Sequence, residues 1–296
     1  METIFAHKFK IRCSAISQIT AKGTPAGLNE KEQDEYKDLV LCSQGKLLTP
    51  TGKAATFTVK RKARLDDLER LKDRKAELPA GAKTYAENWL HDRIYRRRRE
   101  FSAEQTEKGN RTEQVGFEMI KEYLQDPFMR EHPDRVNSEY ITGQCDLMSP
   151  DILFDCKAAF THETMPLFDE TLKKAHREQL HGYGYLYGYK RLARAYALTN
   201  MPEDMIERKA YNATRSKYGP DFTEVEYNEQ LERLTKKYTY DDLPLNLRVM
   251  ITEFDYNPQF IEFVIERVKM IREYLAELEA QLPDHVRESI NHLETV

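Results

Sequence analysis

Apolar residues recur at helical spacing in two segments near the middle of the chain. Segment 107–124 carries three apolar residues on one face, Phe117, Ile120 and Leu124. This spacing predicts an amphipathic helix with Glu113 in its first turn. Segment 176–187 is predicted to form a second helix, in which Gln179 and Tyr183 lie one turn apart on the same side.

Short, continuous apolar runs indicate buried strands between and after these helices. Strands are predicted at 152–154, 194–199 and 247–254. The turn residues 149–151 are expected to fold the first strand back on the segment before it as a β-hairpin. After the last strand, 258–282 regains helical spacing and predicts a long helix packed on the sheet.

The predicted hairpin brings acidic and basic side chains together. Because alternate strand residues share a face, Asp155 and Lys157 point the same way, and Asp146 on the returning strand is expected to meet Asp155. Two carboxylates held together repel unless a hard cation separates them, and Mg²⁺ prefers few carboxylates, several waters and a phosphate. A lysine there would orient water or neutralise a phosphate. An isolated Asp-x-Lys sequence also fits a solvated strand with a surface ion pair.

The chain is predicted to have three regions. Residues 1–105 look mostly helical, are divided by turns rich in Gly and Pro, and are expected to contact DNA. Residues 106–200 contain the acidic and basic cluster and form the predicted catalytic core. Residues 201–296 are predicted to be a helical extension with one strand, packed on that core.

The charge distribution restricts where a nucleic acid would bind. The net charge is −4, so any DNA contact must come from local basic surface. A helix-like segment, 89–99, ends in four consecutive arginines that are predicted to bind phosphate, Arg96, Arg97, Arg98 and Arg99. A second basic run, 60–75, is interleaved with acidic residues, which is typical of a solvated helix.

Composition argues against several protein classes. The four cysteines form no C-x-x-C pair, so neither a zinc site nor a disulfide framework is predicted. No apolar run approaches the ~20 residues of a membrane span, and the first residues lack a signal-peptide pattern. We therefore expect a cytoplasmic protein without a membrane partner.

Taken together, the motifs resemble those of the PD-(D/E)xK nuclease superfamily, and within it the lambda-type (YqaJ-like) phage recombination exonucleases. Four motifs carry the resemblance: Gly109-x-x-x-Glu113, Asp146, Asp155-x-Lys157 and Gln179-x-x-x-Tyr183. Together with the predicted strand that follows them, they span 109–199, about a third of the chain. Two positions depart from the family pattern, since Cys145 replaces the proline that names the superfamily and Asp155 replaces the usual glutamate.

The resemblance implies a fold, a metal site and roles for single residues. The fold would be α/β, with a restriction-endonuclease-like core in which helices flank a central mixed β-sheet. Four groups would bind Mg²⁺, with Mn²⁺ as the alternative: the side chains of Glu113, Asp146 and Asp155 and the backbone carbonyl of Cys156. Lys157 would be the catalytic lysine, while Gln179 and Tyr183 would position DNA or that lysine.

The resemblance also implies contacts outside this cluster. Segment 10–17 is similar to the opening serine-bearing segment of these exonucleases, so Arg12 and Ser14 are expected to lie near the DNA end, with Arg111 as a further DNA contact. The alternative for this segment is a short strand followed by a helix capped by Ser14. A homo-oligomeric ring and a single-strand-annealing protein partner are further implications.

The function expected from these features is a metal-dependent DNA exonuclease that degrades linear duplex DNA from its ends, 5′ to 3′ in the manner of the family. One alternative is a restriction-type or structure-specific endonuclease. Another is a non-catalytic nucleic-acid-binding protein. The complete set of acids and lysine argues against the last, because binding alone does not require clustered carboxylates facing a phosphate.

Overall fold

A computed structural model describes residues 3–97, 103–132, 134–167 and 173–295, with side chains of the last helix described as far as Ile290. In chain order the helices are α1 (Ile16–Ile19), α2 (Glu30–Ser43), α3 (Val59–Leu71), α4 (Ala80–Ile94), α5 (Glu104–Leu124), α6 (Lys174–Tyr187), α7 (Glu203–Tyr218), α8 (Glu224–Tyr238), α9 (Leu245–Arg248), α10 (Pro258–Ala280) and α11 (Asp284–Thr295). The strands are β1 (Ile11–Arg12), β2 (Arg130–Glu131), β3 (Val136–Asn137), β4 (Ile141–Gly143), β5 (Leu147–Met148), β6 (Ile152–Ala158), β7 (Arg191–Ala197) and β8 (Val249–Asp255).

A mixed sheet with the strand order β2-β5-β6-β7-β8 forms the centre of the fold. Strands β6 and β7 pair in parallel, whereas the other neighbours are antiparallel. The parallel pair requires a crossover, which α6 supplies between the two strands. A second, smaller sheet has the order β1-β4-β3.

Helices cover both faces of the central sheet. Alternate residues of β6 point to opposite sides, and each side packs against a different helix. Phe154 packs with Phe117 of α5 in one hydrophobic cluster. Leu153, the preceding residue, packs with Leu180 of α6 in another. This arrangement confirms the predicted α/β fold with a central mixed sheet between helices.

Helix α5 begins earlier than its apolar pattern indicated. It starts at Glu104, so Glu113 is its tenth residue, and the prediction that Glu113 lies in the first turn was wrong. The first turns are buried through Lys108 and Thr112, which are polar and therefore invisible to an apolar periodicity. The longer helix brings Glu113 to the middle of a rigid element.

Helix α10 closely matches its prediction. Pro258 occupies the first turn of α10, and the Asn257 side chain caps the helix by accepting from the Phe260 N–H. Its apolar stripe joins a core cluster that contains Phe9, Leu180 and Val264, one from each predicted region. The N-terminal segment is fastened to this helix, because the buried Glu279 carboxylate accepts hydrogen bonds from the backbone N–H groups of residues 4–6.

The alternative interpretation of segment 10–17 was right in outline. Strand β1 precedes a 3₁₀ turn, Cys13–Ala15, and then α1. The predicted cap is wrong, because Ala15 precedes α1 and no side chain caps it. None of the described helices is both long and apolar enough to cross a membrane.

Candidate active site

The β5–β6 hairpin places two acids side by side. Leu147 pairs with Phe154 across the hairpin, and the pairing continues into Met148 and Leu153. Asp146 immediately precedes the paired residues, and its Oδ2 accepts a 2.7 Å hydrogen bond from the Cys156 N–H. The hairpin therefore brings Asp146 alongside Asp155, as the sequence pattern predicted.

Asp155 and Lys157 share one face of β6. The Lys157 Nζ lies 3.3 Å from the Asp155 Oδ2 and 3.5 Å from its Oδ1. The Asp155 side chain is fully buried, whereas 43% of the Lys157 side chain is exposed. Lys157 thus connects a buried carboxylate to the solvent-accessible part of the site.

Glu113 reaches the same region from α5. Together with Gly109, Cys156 and Lys157 it lines a cavity of about 370 Å³. Partial desolvation raises the pKa of Glu113 and the nearby Asp146 carboxylate raises it further, while Lys157 lowers it. The first acidic motif and the hairpin therefore belong to one electrostatic cluster.

Asp146 is partly buried in this cluster, near the positive groups of Lys157 and Arg194. Burial raises its pKa, while Lys157, the Cys156 N–H and Arg194 lower it. A carboxylate held in this way is costly to ionise, and a cation beside it would reduce that cost.

The QxxxY motif on α6 contacts the hairpin directly. The Gln179 Nε2 donates to the Asp155 Oδ1 at 2.8 Å and to the Tyr183 hydroxyl at 2.9 Å. The Tyr183 ring fits against Gly143, where an added Cβ would lie 2.8 Å from the ring. Gln179 therefore holds Asp155 and also contacts Tyr183, while the role of these two residues toward DNA or the lysine stays a prediction.

Strand β7 contributes residues that the sequence analysis missed. Arg194 pairs in register with Asp155, and its guanidinium Nη1 donates to the Asp155 Oδ2. Tyr196 pairs in register with Lys157, and its hydroxyl lies 2.9 Å from the Nδ1 of His176. The sequence did contain a signal for Arg194, which is a charged residue in a strand predicted to be buried. Arginine is almost never fully buried unless it is paired, so a buried acidic partner could have been expected.

The donor set fits a divalent cation only in part. Within the described ranges, no three or more His, Cys, Asp and Glu side chains form a group that could hold a metal. Both Asp155 oxygens accept hydrogen bonds from Gln179 or Arg194. Glu113 and Asp146 remain as a pair of hard carboxylates with raised pKa values, and Mg²⁺ commonly binds through one or two carboxylates plus a substrate phosphate.

A basic pocket lies beyond the C-terminal end of α4. It has a volume of about 410 Å³ and is lined by Phe5, Lys8, Arg12, Trp89, Asp92, Arg93, Arg96 and Arg97. The helix ends at Ile94, before the arginine run, and Arg96 adopts a positive φ of 51°. The structure thus groups Arg12, Arg96 and Arg97 of the predicted DNA contacts, while Arg98 and Arg99 lie outside the described residues.

Two other predicted DNA contacts lie apart from the lining of this pocket. Arg111 donates two hydrogen bonds to Asp204, at 2.6 and 2.7 Å, and lies 3.8 Å from Glu107. Acidic side chains therefore balance its charge. Ser14 is exposed in the 3₁₀ turn that follows β1.

Comparison with solved structures finds a phage-related exonuclease from Haemophilus somnus 129PT, with a TM-score of 0.61 and 18% sequence identity over 93% of this chain and 97% of that chain. An alkaline exonuclease from Laribacter hongkongensis has a TM-score of 0.45 and 11% sequence identity. The structure of that enzyme in complex with dAMP has a TM-score of 0.43 and 12% identity. Both matches cover 73% of this chain and 85% of the exonuclease chain. No family model matches the chain. No curated protein matches it. The chain therefore shares its fold with the phage-related exonuclease.

Proposed function

We propose that this chain, which has the fold of a phage-related exonuclease, is a divalent-metal-dependent deoxyribonuclease that degrades linear duplex DNA from its ends. The observation that carries the proposal is the meeting of three motifs at one hairpin. Glu113 approaches from α5, Asp146 and Asp155 lie side by side, and Lys157 stands at the solvent boundary.

The partly exposed lysine is the group best placed to act on substrate. Its Nζ is held near Asp155 but remains 43% exposed as a side chain, so a phosphate or a water can approach it. A cationic amine at that position would stabilise charge that develops on the phosphate during hydrolysis. The buried neighbours fix its position instead of contacting the substrate.

Glu113 and Asp146 would hold the divalent cation, with the Cys156 carbonyl as an additional ligand and Asp155 joining when its other contacts loosen. A bound Mg²⁺ or Mn²⁺ would polarise the phosphate and lower the pKa of water. The raised pKa values of both carboxylates support this assignment, because a cation favours the ionised form that burial disfavours.

The basic pocket at the end of α4 would bind the DNA backbone. Arg12, Arg93 and Arg97 line it and are exposed, which suits phosphate binding by a protein whose net charge is −4. Trp89 lies in the same pocket beneath Arg93, whose guanidinium is 5.1 Å from the indole ring centroid. The 5′-to-3′ direction, the homo-oligomer and the annealing partner also belong to the proposal and are supported by the sequence resemblance.

The test is an assay of linear duplex DNA labelled separately at each end, with covalently closed circles of the same sequence. We expect loss of the linear DNA in Mg²⁺ or Mn²⁺, none in EDTA, and circles that stay intact. Release from the 5′-labelled end first would establish the direction. Cut circles would instead assign the protein to the endonucleases, and tight binding without cleavage would indicate a non-catalytic protein.

A further inference from the structure

Arg194 is a buried cation in the middle of the acidic cluster. Its side chain and that of Asp155 both have no exposed surface, and their strands pair in register at these residues. The Arg194 guanidinium also lowers the pKa of Asp146 electrostatically. The Arg194 guanidinium therefore interacts with Asp155 directly and with Asp146 through its charge.

Arg194 has more donors than the cluster satisfies. Its Nη1 donates to the Asp155 Oδ2, but its Nε and Nη2 are buried without a hydrogen-bond partner among the residues that the structure describes. Buried donors left without a partner are costly, and burying an arginine is costly as well. A core built only for stability would favour a neutral pair at these positions.

The carboxylate that Arg194 holds is the one that the Asp-x-Lys motif supplies. Arg194 donates to the Oδ2 of Asp155, while Gln179 donates to its Oδ1 at 2.8 Å. An arginine and a divalent cation are alternative partners for the same negative oxygen, because each relieves the same unfavourable buried charge.

We propose that Arg194 is the counter-ion of Asp155 in the metal-free protein and competes with the divalent cation for this carboxylate. Arg194 is thus a positioning residue. It holds the buried Asp155 carboxylate in place when no cation is bound, and it lowers the affinity of the site for metal. This inference rests on the proposed function, because it concerns the same site.

The test measures Mn²⁺ binding directly, from the loss of the electron paramagnetic resonance signal of free Mn²⁺ on titration with protein. The proteins are wild type, Arg194→Met, Asp155→Asn and the double variant, with Arg191→Met as the control. Arg191 lies on the same strand, but it is half exposed and pairs with Asp151 and Glu253 at the surface.

We expect Arg194→Met to bind Mn²⁺ at least about tenfold more tightly than wild type, because hydrogen bonds between charged groups are worth that much or more. The gain should disappear in the Asp155→Asn background, and Arg191→Met should bind as wild type does. In EDTA, Arg194→Met should melt at a lower temperature, and the double variant should recover part of the loss, since it leaves no unpaired buried charge.

Unchanged or weaker Mn²⁺ binding by Arg194→Met, or a gain that persists without Asp155, would overturn the competition. If Arg194→Met does not fold, Arg194→Lys replaces it and should show a smaller gain, because an ammonium lacks the planar fork of the guanidinium; no gain would then overturn the inference. A wild type that neither binds Mn²⁺ nor cleaves DNA would overturn the proposed function together with this inference. A wild type that does both, with Arg194 variants of unchanged affinity, would overturn only the inference.

Discussion

Among single residues, Asp146 has a carboxyl group whose ionised form becomes less favourable when the chain folds. Burial raises its pKa, although the Cys156 N–H and Lys157 oppose that effect. Asn has nearly the same shape and can still accept the hydrogen bond from the Cys156 N–H. A residue kept for stability alone would gain nothing from being an acid here.

We therefore predict that Asp146→Asn separates stability from metal binding. The variant should melt at the same temperature as wild type in EDTA, or a few degrees higher, while its affinity for Mn²⁺ falls at least about tenfold. Calorimetric melting and titration calorimetry measure the two effects. A lower melting temperature with unchanged Mn²⁺ affinity would show that Asp146 is structural.

His181 provides a pH-dependent contribution to stability. It is buried on α6, and its Nδ1 accepts from the Asn257 N–H at 3.3 Å. Burial lowers its pKa from 6.5 to about 4. Between these values the unfolded chain binds a proton that the folded chain excludes, so stability is full above pH 6.5 and falls as the pH drops towards 4.

The measurement is urea unfolding of wild type and His181→Asn at a series of pH values. Asn retains an acceptor at the position of Nδ1, and the comparison cancels the titration of all other groups. The stability advantage of wild type should fall by about 3 kcal/mol at most between pH 7 and pH 4. A difference that stays constant with pH would mean that His181 titrates normally.

At the scale of secondary-structure elements, Lys108 joins α5 to the ends of two central strands. It is 1% exposed, and its Nζ donates to the carbonyls of Ala159, Phe160 and Thr199 at 2.7, 3.0 and 2.8 Å. Those carbonyls follow β6 and β7, which carry Lys157 and Arg194. The lysine thus fixes the helix of Glu113 relative to the strands of the site.

Lys108→Met should lower the free energy of unfolding by about 2–4 kcal/mol, because two buried carbonyls and one partly buried carbonyl lose their charged donor. The matched control is Lys121→Met on the same helix, whose Nζ pairs with Glu118 and Glu131 nearer the surface. The control should cost less than about 1 kcal/mol. Equal losses in chemical denaturation would contradict the role of Lys108.

The sequence predicted elements whose signals are local. The hairpin followed from a turn between two short runs, and strand periodicity placed Asp155 and Lys157 on one face. The start of α5 and the role of Arg194 did not follow, because each depends on buried polar contacts between residues far apart in the chain. Periodicity detects apolar faces, whereas these contacts arise only when strands and helices assemble.

At the scale of the whole molecule, a basic pocket stands out on a protein of net negative charge. Net repulsion of DNA would confine the proposed binding to surfaces where arginines outnumber acids, as they do around Arg12, Arg93 and Arg97. The pocket combines the N-terminal strand with α4, two parts of the chain that are distant in sequence.

We predict that Arg12→Ala and Arg97→Ala each weaken duplex binding and each reduce the slope of log affinity against log salt by about 0.9. Fluorescence anisotropy over a salt series, in EDTA to prevent cleavage, provides the measurement. Arg215→Ala, which removes an exposed arginine from α7, serves as the control. If Arg12→Ala and Arg97→Ala have the same salt slope as wild type and Arg215→Ala, DNA binds to another surface.

The proposed function requires Lys157 to act on DNA at the hairpin of Asp146 and Asp155. The deciding assay compares wild type with Lys157→Ala and with Lys236→Ala, which removes an exposed lysine of α8, and it measures Mg²⁺-dependent release of label from linear duplex DNA. Lys157→Ala should lose at least about a hundredfold in rate, with its melting temperature and DNA affinity within error of wild type, while Lys236→Ala retains full activity. Cleavage at the wild-type rate by Lys157→Ala would contradict the assignment of the active site.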